Sequence, residues 1–358
     1  MSRFHRLTVT RVEPETRDAV AVTFAVPPAE AAAFRHQPGQ HLTLRAIIDG
    51  EDTRRSYSIC SGSTEETLRI AIKRQPGGRF SVWANEHLQA GDSLDVMPPL
   101  GHFHLPLDPA ARHHYVGFAA GSGITPLLSL IRSTFAVEPR SEFTLFYGNR
   151  ASASVMFREE LAALKDLHLQ RFTLVHVLSR EAQDIELLHG RIDAGRAGQL
   201  LDHWVDLAGV DAVFVCGPEA MMDAVRNALA ARGYPDTRIR IERFASSIPR
   251  VAPKAHPTPQ PGHAQCVVTA IVDGATRSFP LEKGVESVLA AGLRAGVELP
   301  YSCKGGVCST CRAKLTAGEV AMDVNFALED YEIARGFVLT CQSHPITDAV
   351  TLDYDATA

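Results

Sequence analysis

The stretch Cys303-Lys304-Gly305-Gly306-Val307-Cys308-Ser309-Thr310-Cys311 sets three cysteines at C-x4-C-x2-C, and Cys341 follows after twenty-nine further residues. One tight loop and one distant thiol at this spacing hold a [2Fe–2S] cluster through four thiolates. Gly305 and Gly306 suit such a loop. A backbone without Cβ atoms turns sharply and aims its N–H groups at sulfur. A structural zinc site would show two C-x2-C knuckles, and only one is present. A disulfide framework fits poorly with a long chain that has seven cysteines and no secretory leader. The cluster ligands are therefore read as Cys303, Cys308, Cys311 and Cys341. Such a centre moves single electrons, so the remaining sequence is searched for their source.

The 358 residues imply two or three domains, and 45% hydrophobic content gives each an ordinary core. No apolar run is long enough for a membrane span and no basic run suits nucleic acid, so neither is expected as a partner. Reduced thiols and the N-terminus MSRFHRLTVTRVEP point to a soluble cytoplasmic protein. The net charge of −5 is uneven. From Ala264 onward there are 12 Asp and Glu against 7 Lys and Arg, and the preceding residues balance. This is either an ordinary acidic surface or a face that steers onto a basic partner.

Residues 1–107 read as an antiparallel β-barrel. Strands are expected at Thr8–Val12, Ala19–Ala25, His41–Arg45, Ser56–Cys60 and Leu68–Ile72, with a helix over Phe80–Leu88. On a strand, Arg55 and Tyr57 share one face and Ser56 and Ser58 the other. A cation, a flat aromatic ring and hydroxyls suit a ligand that is part phosphate and part planar ring. Gly77-Gly78-Arg79-Phe80-Ser81 precedes the helix and leaves backbone N–H groups for an anion. Each is weak alone, since R-x-Y-S also describes a plain strand and G-G-x-x-S a plain helix cap.

Residues 108–245 alternate strand and helix, as a parallel α/β sheet with helices on both faces does. Strands are expected at Tyr115–Ala119, Phe143–Tyr147, Phe172–Val177 and Ala212–Val215. Helices are expected at Pro126–Phe135, Val155–Leu167 and Glu219–Arg232. Gly121-Ser122-Gly123-Ile124-Thr125-Pro126 follows the first strand in the phosphate-cradling position, although it is not G-x-G-x-x-G. Cys216 ends a later strand, either as a buried core thiol or beside a nicotinamide. Arg150, Ser179 and Arg180 end neighbouring strands, where arginines are either solvated or hold a ribose 2′-phosphate.

Residues 246–263, with five prolines, read as a linker, and 264–358 as a compact α+β, β-grasp-like cluster domain. There Asp273-Gly274 signals a hairpin, and Val285, Val288, Leu289 and Leu293 form one helical face closed by Gly296. Cys60 and Cys266 read as structural. His102 and His104 share a strand face and His113-His114 are adjacent, but no carboxylate or cysteine completes a metal set.

R-x-Y-S, G-G-x-x-S, G-x-G-x-T-P and C-G-P in this order resemble the ferredoxin–NADP⁺ reductase superfamily. With a C-terminal plant-type ferredoxin domain, the whole chain resembles the reductase components of multicomponent oxygenases. It is most like those of bacterial phenylacetyl-CoA 1,2-epoxidases, along RRSYSICS (54–61), SVMFREELAALKD (154–166), HVLSRE (176–181), YSCKGGVCSTCRAKL (301–315) and MDVNFALEDYEIARGFVLTCQS (322–343).

The resemblance implies FAD rather than FMN, a [2Fe–2S] cluster and NADPH as donor. It implies that Arg55 pairs with the flavin pyrophosphate, Tyr57 lies against the ring and Ser58 bonds near N5. Gly78, Arg79 and Ser81 would hold the pyrophosphate, and Gly121, Gly123 and Thr125 the nicotinamide dinucleotide. Ser179 and Arg180, with Arg150 in support, would read a 2′-phosphate. Cys216 would sit beside the nicotinamide, with Glu242 and Phe244 near the flavin. Ser58, Cys216 and Phe244 are thus the expected catalytic residues. Electrons would pass to the di-iron oxygenase components of a multicomponent oxygenase. A Rieske-type dioxygenase or hybrid-cluster protein as acceptor, or a carrier or assembly subunit that does not oxidise NADPH, are the alternatives.

Overall fold

The computed structural model describes residues 4–104, 106–245 and 265–357. The linker read at 246–263 lies outside the described residues. Two compact units emerge: a larger one over 5–245, apart from residues 54–56, and a smaller one built on 265–357.

The larger unit opens with β1 (His5–Thr16), β2 (Ala19–Ala25), β3 (His41–Ile48), β4 (Glu51–Ser58), β5 (Leu68–Lys73), α1 (Arg79–Glu86) and β6 (Ser93–Leu100). Their order in the antiparallel sheet is β4-β3-β6-β1-β2-β5, and a bridge between Ile59 and Ile70 closes it. Leu7, Val9, Val22, Leu42, Leu44, Ile70 and Val96 alternate inward and fill the barrel. The sequence reading lacked β6. Its run SLDVMPPL ends in two prolines, which mask the alternation. His102 and His104 do not share a strand face as expected: they follow β6 in a turn, where His104 N–H donates to His102 O at 2.8 Å.

A parallel sheet follows: β7 (His114–Ala120), α2 (Ile124–Val137), β8 (Glu142–Asn149), α3 (Arg158–Leu167), β9 (Phe172–Leu178), α4 (Ala194–Trp204), β10 (Ala212–Cys216), α5 (Glu219–Ala230) and β11 (Ile239–Glu242). The strand order β11-β10-β7-β8-β9 reverses direction between β7 and β10. Ligands of open α/β sheets bind at such a switch point, beyond the carboxyl ends of the strands. One sheet face packs on α2 and α3 through Leu127, Ile131 and Leu161; the other packs on α4 and α5 through Leu200, Leu201, Met222 and Val225. Gly117 lets α2 lie close, because a Cβ there would stand 2.6 Å from Leu127 Cδ2.

The barrel wall joins the α2–α3 face. Ala19, Ala21, Cys60, Ala71 and Phe103 share its apolar core. Arg69 of β5 donates to both oxygens of Glu160 on α3, at 2.7 and 2.6 Å. Arg132 of α2 donates to Glu160 at 2.9 Å and to Glu65 at 2.5 Å. Helix α3 begins at Arg158 rather than Val155 because buried Phe157 takes φ 56°, with the Arg69 guanidinium 5.2 Å from its ring centre.

The smaller unit comprises β12 (Gln265–Val272), β13 (Ala275–Glu282), α6 (Val288–Arg294), β14 (Arg312–Ala317), β15 (Val320–Met322), α7 (Asp330–Ala334), β16 (Phe337–Leu339), β17 (Ser343–Pro345) and β18 (Ala349–Asp353). Its main sheet runs β13-β12-β18-β14-β16, with β12 and β13 joined at Asp273-Gly274. Helix α6 packs Val288 and Leu289 on this sheet. Val285 lies before the helix and is 68% exposed, so it is not part of that apolar face.

Glu160→Ala leaves two arginines at the barrel–sheet junction without their shared carboxylate. The three side chains are partly exposed, so the expected loss is about 1–2 kcal/mol, between that of a surface pair and a buried one. A urea midpoint equal to wild type would contradict this junction.

Candidate active site and cluster loop

The carboxyl ends of β7, β8, β9 and β10 open into a cavity of about 1050 Å3. Its floor is the turn after β7. Gly121 takes φ +54°, and a Cβ on Gly123 would lie 2.0 Å from the Cys216 carbonyl oxygen. Thr125 is buried and its Oγ1 donates to Ser122 O at 3.0 Å. The buried Tyr147 hydroxyl donates to Gly121 O at 2.9 Å, a support that the sequence reading lacked. Both hydroxyls thus shape the turn. A glycine turn opening a helix at a switch point fits the phosphates of a dinucleotide, and the volume suits one.

Beyond the turn, Ser179 N–H donates to Asn149 O at 2.9 Å and Arg180 N–H to Arg150 O at 2.7 Å. This pairing extends the β8–β9 ladder and brings Arg150 and Arg180 to the same rim. Lys73, at the end of β5, also lines the cavity. Burial, and then neighbouring Arg150, hold its ammonium pKa below the ordinary value. Lys73 escaped the sequence reading because it ends a barrel strand far from the glycine turn in sequence.

At the β10–β11 side, Cys216 pairs with Glu242 across the ladder. The thiol is fully buried, and desolvation, with Glu242 beside it, pushes its pKa well up. Ser58 Oγ hydrogen-bonds Glu242 Oε2 at 3.1 Å. Protein packed round the Glu242 carboxyl group pushes its pKa up to about 8, against the lowering effect of Ser58. Arg243 pairs with Glu219 at the start of α5, at 3.0 Å, and so steadies the segment that carries Phe244 into the cavity. Ser58, Cys216, Glu242 and Phe244 therefore gather around one end of the cleft.

On the barrel, Tyr57 is half-buried with its ring 5.7 Å from Phe80. Arg55 is exposed on β4. Gly78 caps α1 and leaves no Cβ over its first turn. Ser81 Oγ is occupied there: it accepts from Gln75 N–H at 3.0 Å and donates to Gly78 O at 3.3 Å. Arg79 is paired with Glu51. Tyr57, Ser58 and the open first turn of α1 fit a flavin and its pyrophosphate.

In the smaller unit, Lys304, Gly306 and Ser309 all take positive φ as the loop winds between its cysteines. The sequence pointed to the glycines but not to Lys304 and Ser309. Gly305 N–H donates to Cys303 Sγ at 3.3 Å, and Gln342 Nε2 to Cys341 Sγ at 3.5 Å. Among the described residues, no three His, Cys, Asp or Glu close on one point as ligands of a single ion would. The thiols stand instead as two neighbouring pairs, Cys303 with Cys308 and Cys311 with Cys341. Two irons take two thiolates each, so this donor set fits a [2Fe–2S] cluster.

A flavin barrel, a nicotinamide cleft and a cluster loop define an NAD(P)H-dependent flavoprotein oxidoreductase with an iron–sulfur centre. Family models match in that order: "Oxidoreductase FAD-binding domain" over residues 6–105, "Oxidoreductase NAD-binding domain" over 118–227 and "2Fe-2S iron-sulfur cluster binding domain" over 270–345. One subunit of the 1,2-phenylacetyl-CoA epoxidase of Escherichia coli is 48% identical over 99% of both chains. The ferredoxin reductase component of the 3-ketosteroid-9-alpha-monooxygenase of Mycobacterium tuberculosis is 36% identical, covering 98% of this chain and 95% of that one. Among solved structures, phthalate dioxygenase reductase matches at 25% identity and TM-score 0.59 over 98% of both chains. The chain belongs to the family of flavin and [2Fe–2S] reductase components of multicomponent oxygenases. Among the described residues no helix is long and apolar enough to cross a membrane.

The Glu242 pKa has a stability consequence. From the ordinary carboxylate value up to about 8, the folded protein retains a proton that the unfolded chain has released. Glu242 thus makes stability fall as pH rises through this window and level off above it. Glu242→Gln should flatten that slope in thermal unfolding of the flavin-free protein; an unchanged slope would contradict the assignment.

Proposed function

We propose that this chain is the NADPH-dependent reductase of a phenylacetyl-CoA 1,2-epoxidase, working in the cytoplasm and feeding a di-iron oxygenase. The observation that carries this reading is the 48% identity to a component of the Escherichia coli epoxidase, over 99% of both chains and so across all three modules. The modules are assigned to 1–107 for flavin, 108–245 for nicotinamide coenzyme, 246–263 as linker and 264–358 for the cluster. When bound, the flavin accepts two electrons together from the nicotinamide and passes them singly to the cluster.

The chain's own residues bind, orient and exclude water. Arg55, Gly78, Arg79 and Ser81 hold the flavin pyrophosphate end; in the last two, the backbone acts, since Ser81 Oγ and the Arg79 side chain are engaged elsewhere. Tyr57 lies along the ring. Ser58, backed by Glu242, holds a proton at the position of N5. Phe244, which lines the cavity, would shield a bound flavin ring from water, and Cys216 would stand beside the nicotinamide. Gly121, Gly123 and Thr125 form the dinucleotide turn, and Arg150, Ser179 and Arg180 receive the 2′-phosphate.

Coupled oxygen and NADPH consumption with the phenylacetyl-CoA di-iron oxygenase tests the reading. Coupling only to a Rieske-type dioxygenase, or to a hybrid-cluster protein, would replace the acceptor. Failure of NADPH to bleach the flavin and cluster bands anaerobically would leave a carrier or assembly role.

Two variants probe the parts. Cys308→Ser should abolish cluster absorbance and oxygenase turnover yet leave NADPH-dependent reduction of a small two-electron dye; equal loss of both would contradict separable modules. Arg180→Ala should raise KM for NADPH about tenfold, the scale of one lost charge-assisted hydrogen bond, with little effect on KM for NADH. An equal rise for both would deny it the 2′-phosphate.

A further inference from the structure

The cavity is lined by more positive charge than its own carboxylates neutralise. Arg17, Lys73, Arg150, Arg180 and Arg191 all line it, and none makes a salt bridge among the described residues. The other arginine that lines the cleft, Arg74, is matched by Glu86, and the lining acid Glu219 is taken by Arg243 from outside it. Of the acids that line the cavity, Glu219 is thus committed, and Asp193 accepts from Arg196 N–H as the cap of α4. Asp18 acts on Lys73, whose charge it favours. Four arginines remain for an anionic ligand.

Three of these arginines come from the parallel sheet. Arg17 comes from the barrel, at the tip of the β1–β2 hairpin. Its position is fixed from both sides. Glu15 Oε2 accepts from Phe157 N–H at 3.1 Å, which ties the end of β1 to the loop after β8. Arg74 N–H donates to Asp18 O at 2.7 Å, which ties the start of β2 to the end of β5.

These ties decide which end of the cleft Arg17 serves. Phe244 and Gly217 mark the end at β10. Ser179, Arg180 and Arg191 mark the other, beyond β9. In the order β10-β7-β8-β9, the loop after β8 borders the β9 end. An isolated exposed arginine is ordinarily just solvated. This one stands in a turn whose flanking residues are tied on both sides, at the rim of a cation-rich cavity, and the tie through Glu15 leads to the loop that borders the β9 end.

We propose that Arg17 is a coenzyme-specificity residue, supplying from the barrel side the cation that faces the phosphate on the adenosine ribose, opposite Arg180. The proposal rests on the NADPH reading above. A phosphate held between arginines of barrel and sheet gains charge-assisted hydrogen bonds that a bare ribose hydroxyl does not. Discrimination between the phosphorylated and unphosphorylated coenzyme is then a property of both modules.

The test is calorimetric titration of the flavin- and cluster-loaded protein with adenosine 2′,5′-bisphosphate and with 5′-AMP. Wild type, Arg17→Ala, Arg17→Lys and Arg180→Ala are compared, with thermal midpoint and flavin content as controls. Arg17→Ala should weaken the bisphosphate about tenfold and 5′-AMP less than about twofold, and Arg17→Lys should recover part of the loss. The ratio of KM values for NADPH and NADH should shift alike, at constant kcat. If Arg17→Ala weakens both nucleotides equally or neither, while Arg180→Ala affects only the bisphosphate, Arg17 has no such role and the NADPH reading stands. If wild type binds both nucleotides alike, the NADPH reading falls and this proposal falls with it.

Discussion

At Gly123 the turn after β7 has no room for a side chain. A Cβ on Gly123 would meet the Cys216 carbonyl oxygen at 2.0 Å, inside any tolerable contact. This approach holds the glycine turn against the end of β10 at the point where the strand order reverses. The phosphate cradle thus lies directly against the backbone of Cys216. The ladder from Cys216 to Glu242, and the hydrogen bond from Glu242 to Ser58, carry the same constraint on to the barrel. The junction of Arg69, Glu160 and Arg132 holds barrel and sheet to the accuracy that this chain of contacts needs.

The cleft is electrically graded. At its β10 end, Ser58, Cys216, Glu242 and Phe244 present no full charge at neutral pH, since burial keeps both thiol and carboxyl protonated. Towards its β9 end, Arg150, Arg180 and Arg191 line it, and Arg17 lines the same cavity from the barrel. A dinucleotide with a neutral or singly charged ring at one end and phosphates towards the other meets matching surroundings in one orientation only. In the smaller unit the backbone of the loop does the equivalent work by directing N–H groups to sulfur.

Much of this was legible in the sequence where chemistry and spacing coincide. Four cysteines at fixed intervals, R-x-Y-S on a strand, and a glycine turn between strand and helix each need particular residues at particular steps. What stayed hidden depended on tertiary neighbours. Strand β6 was masked by its prolines, and α4 (Ala194–Trp204) carries Gly195 and Gly198 in its first half, which read as helix breakers although Gly198 is buried beside Leu200 and Leu201. Strand β11 alternates isoleucine with charged residues, Arg240 and Glu242, over only four residues. Val285 fits a helical repeat but precedes the helix. Ser81 and Thr125 were read as ligand contacts, and the bonds that their hydroxyls make within their own turns were not legible. Lys73 ends a barrel strand and Arg17 lies in the β1–β2 turn, and only the folded cleft brings them to the coenzyme side.

The central claim is that one chain takes electrons from a nicotinamide coenzyme in pairs and yields them singly through its own cluster. Anaerobic titration with NADPH, followed by visible absorbance and by electron paramagnetic resonance, tests it most directly. The account predicts that flavin absorbance bleaches and that the signal of a reduced [2Fe–2S] centre appears in the same protein. Flavin bleaching with no cluster signal, in protein whose cluster is present and reducible by dithionite, would contradict it.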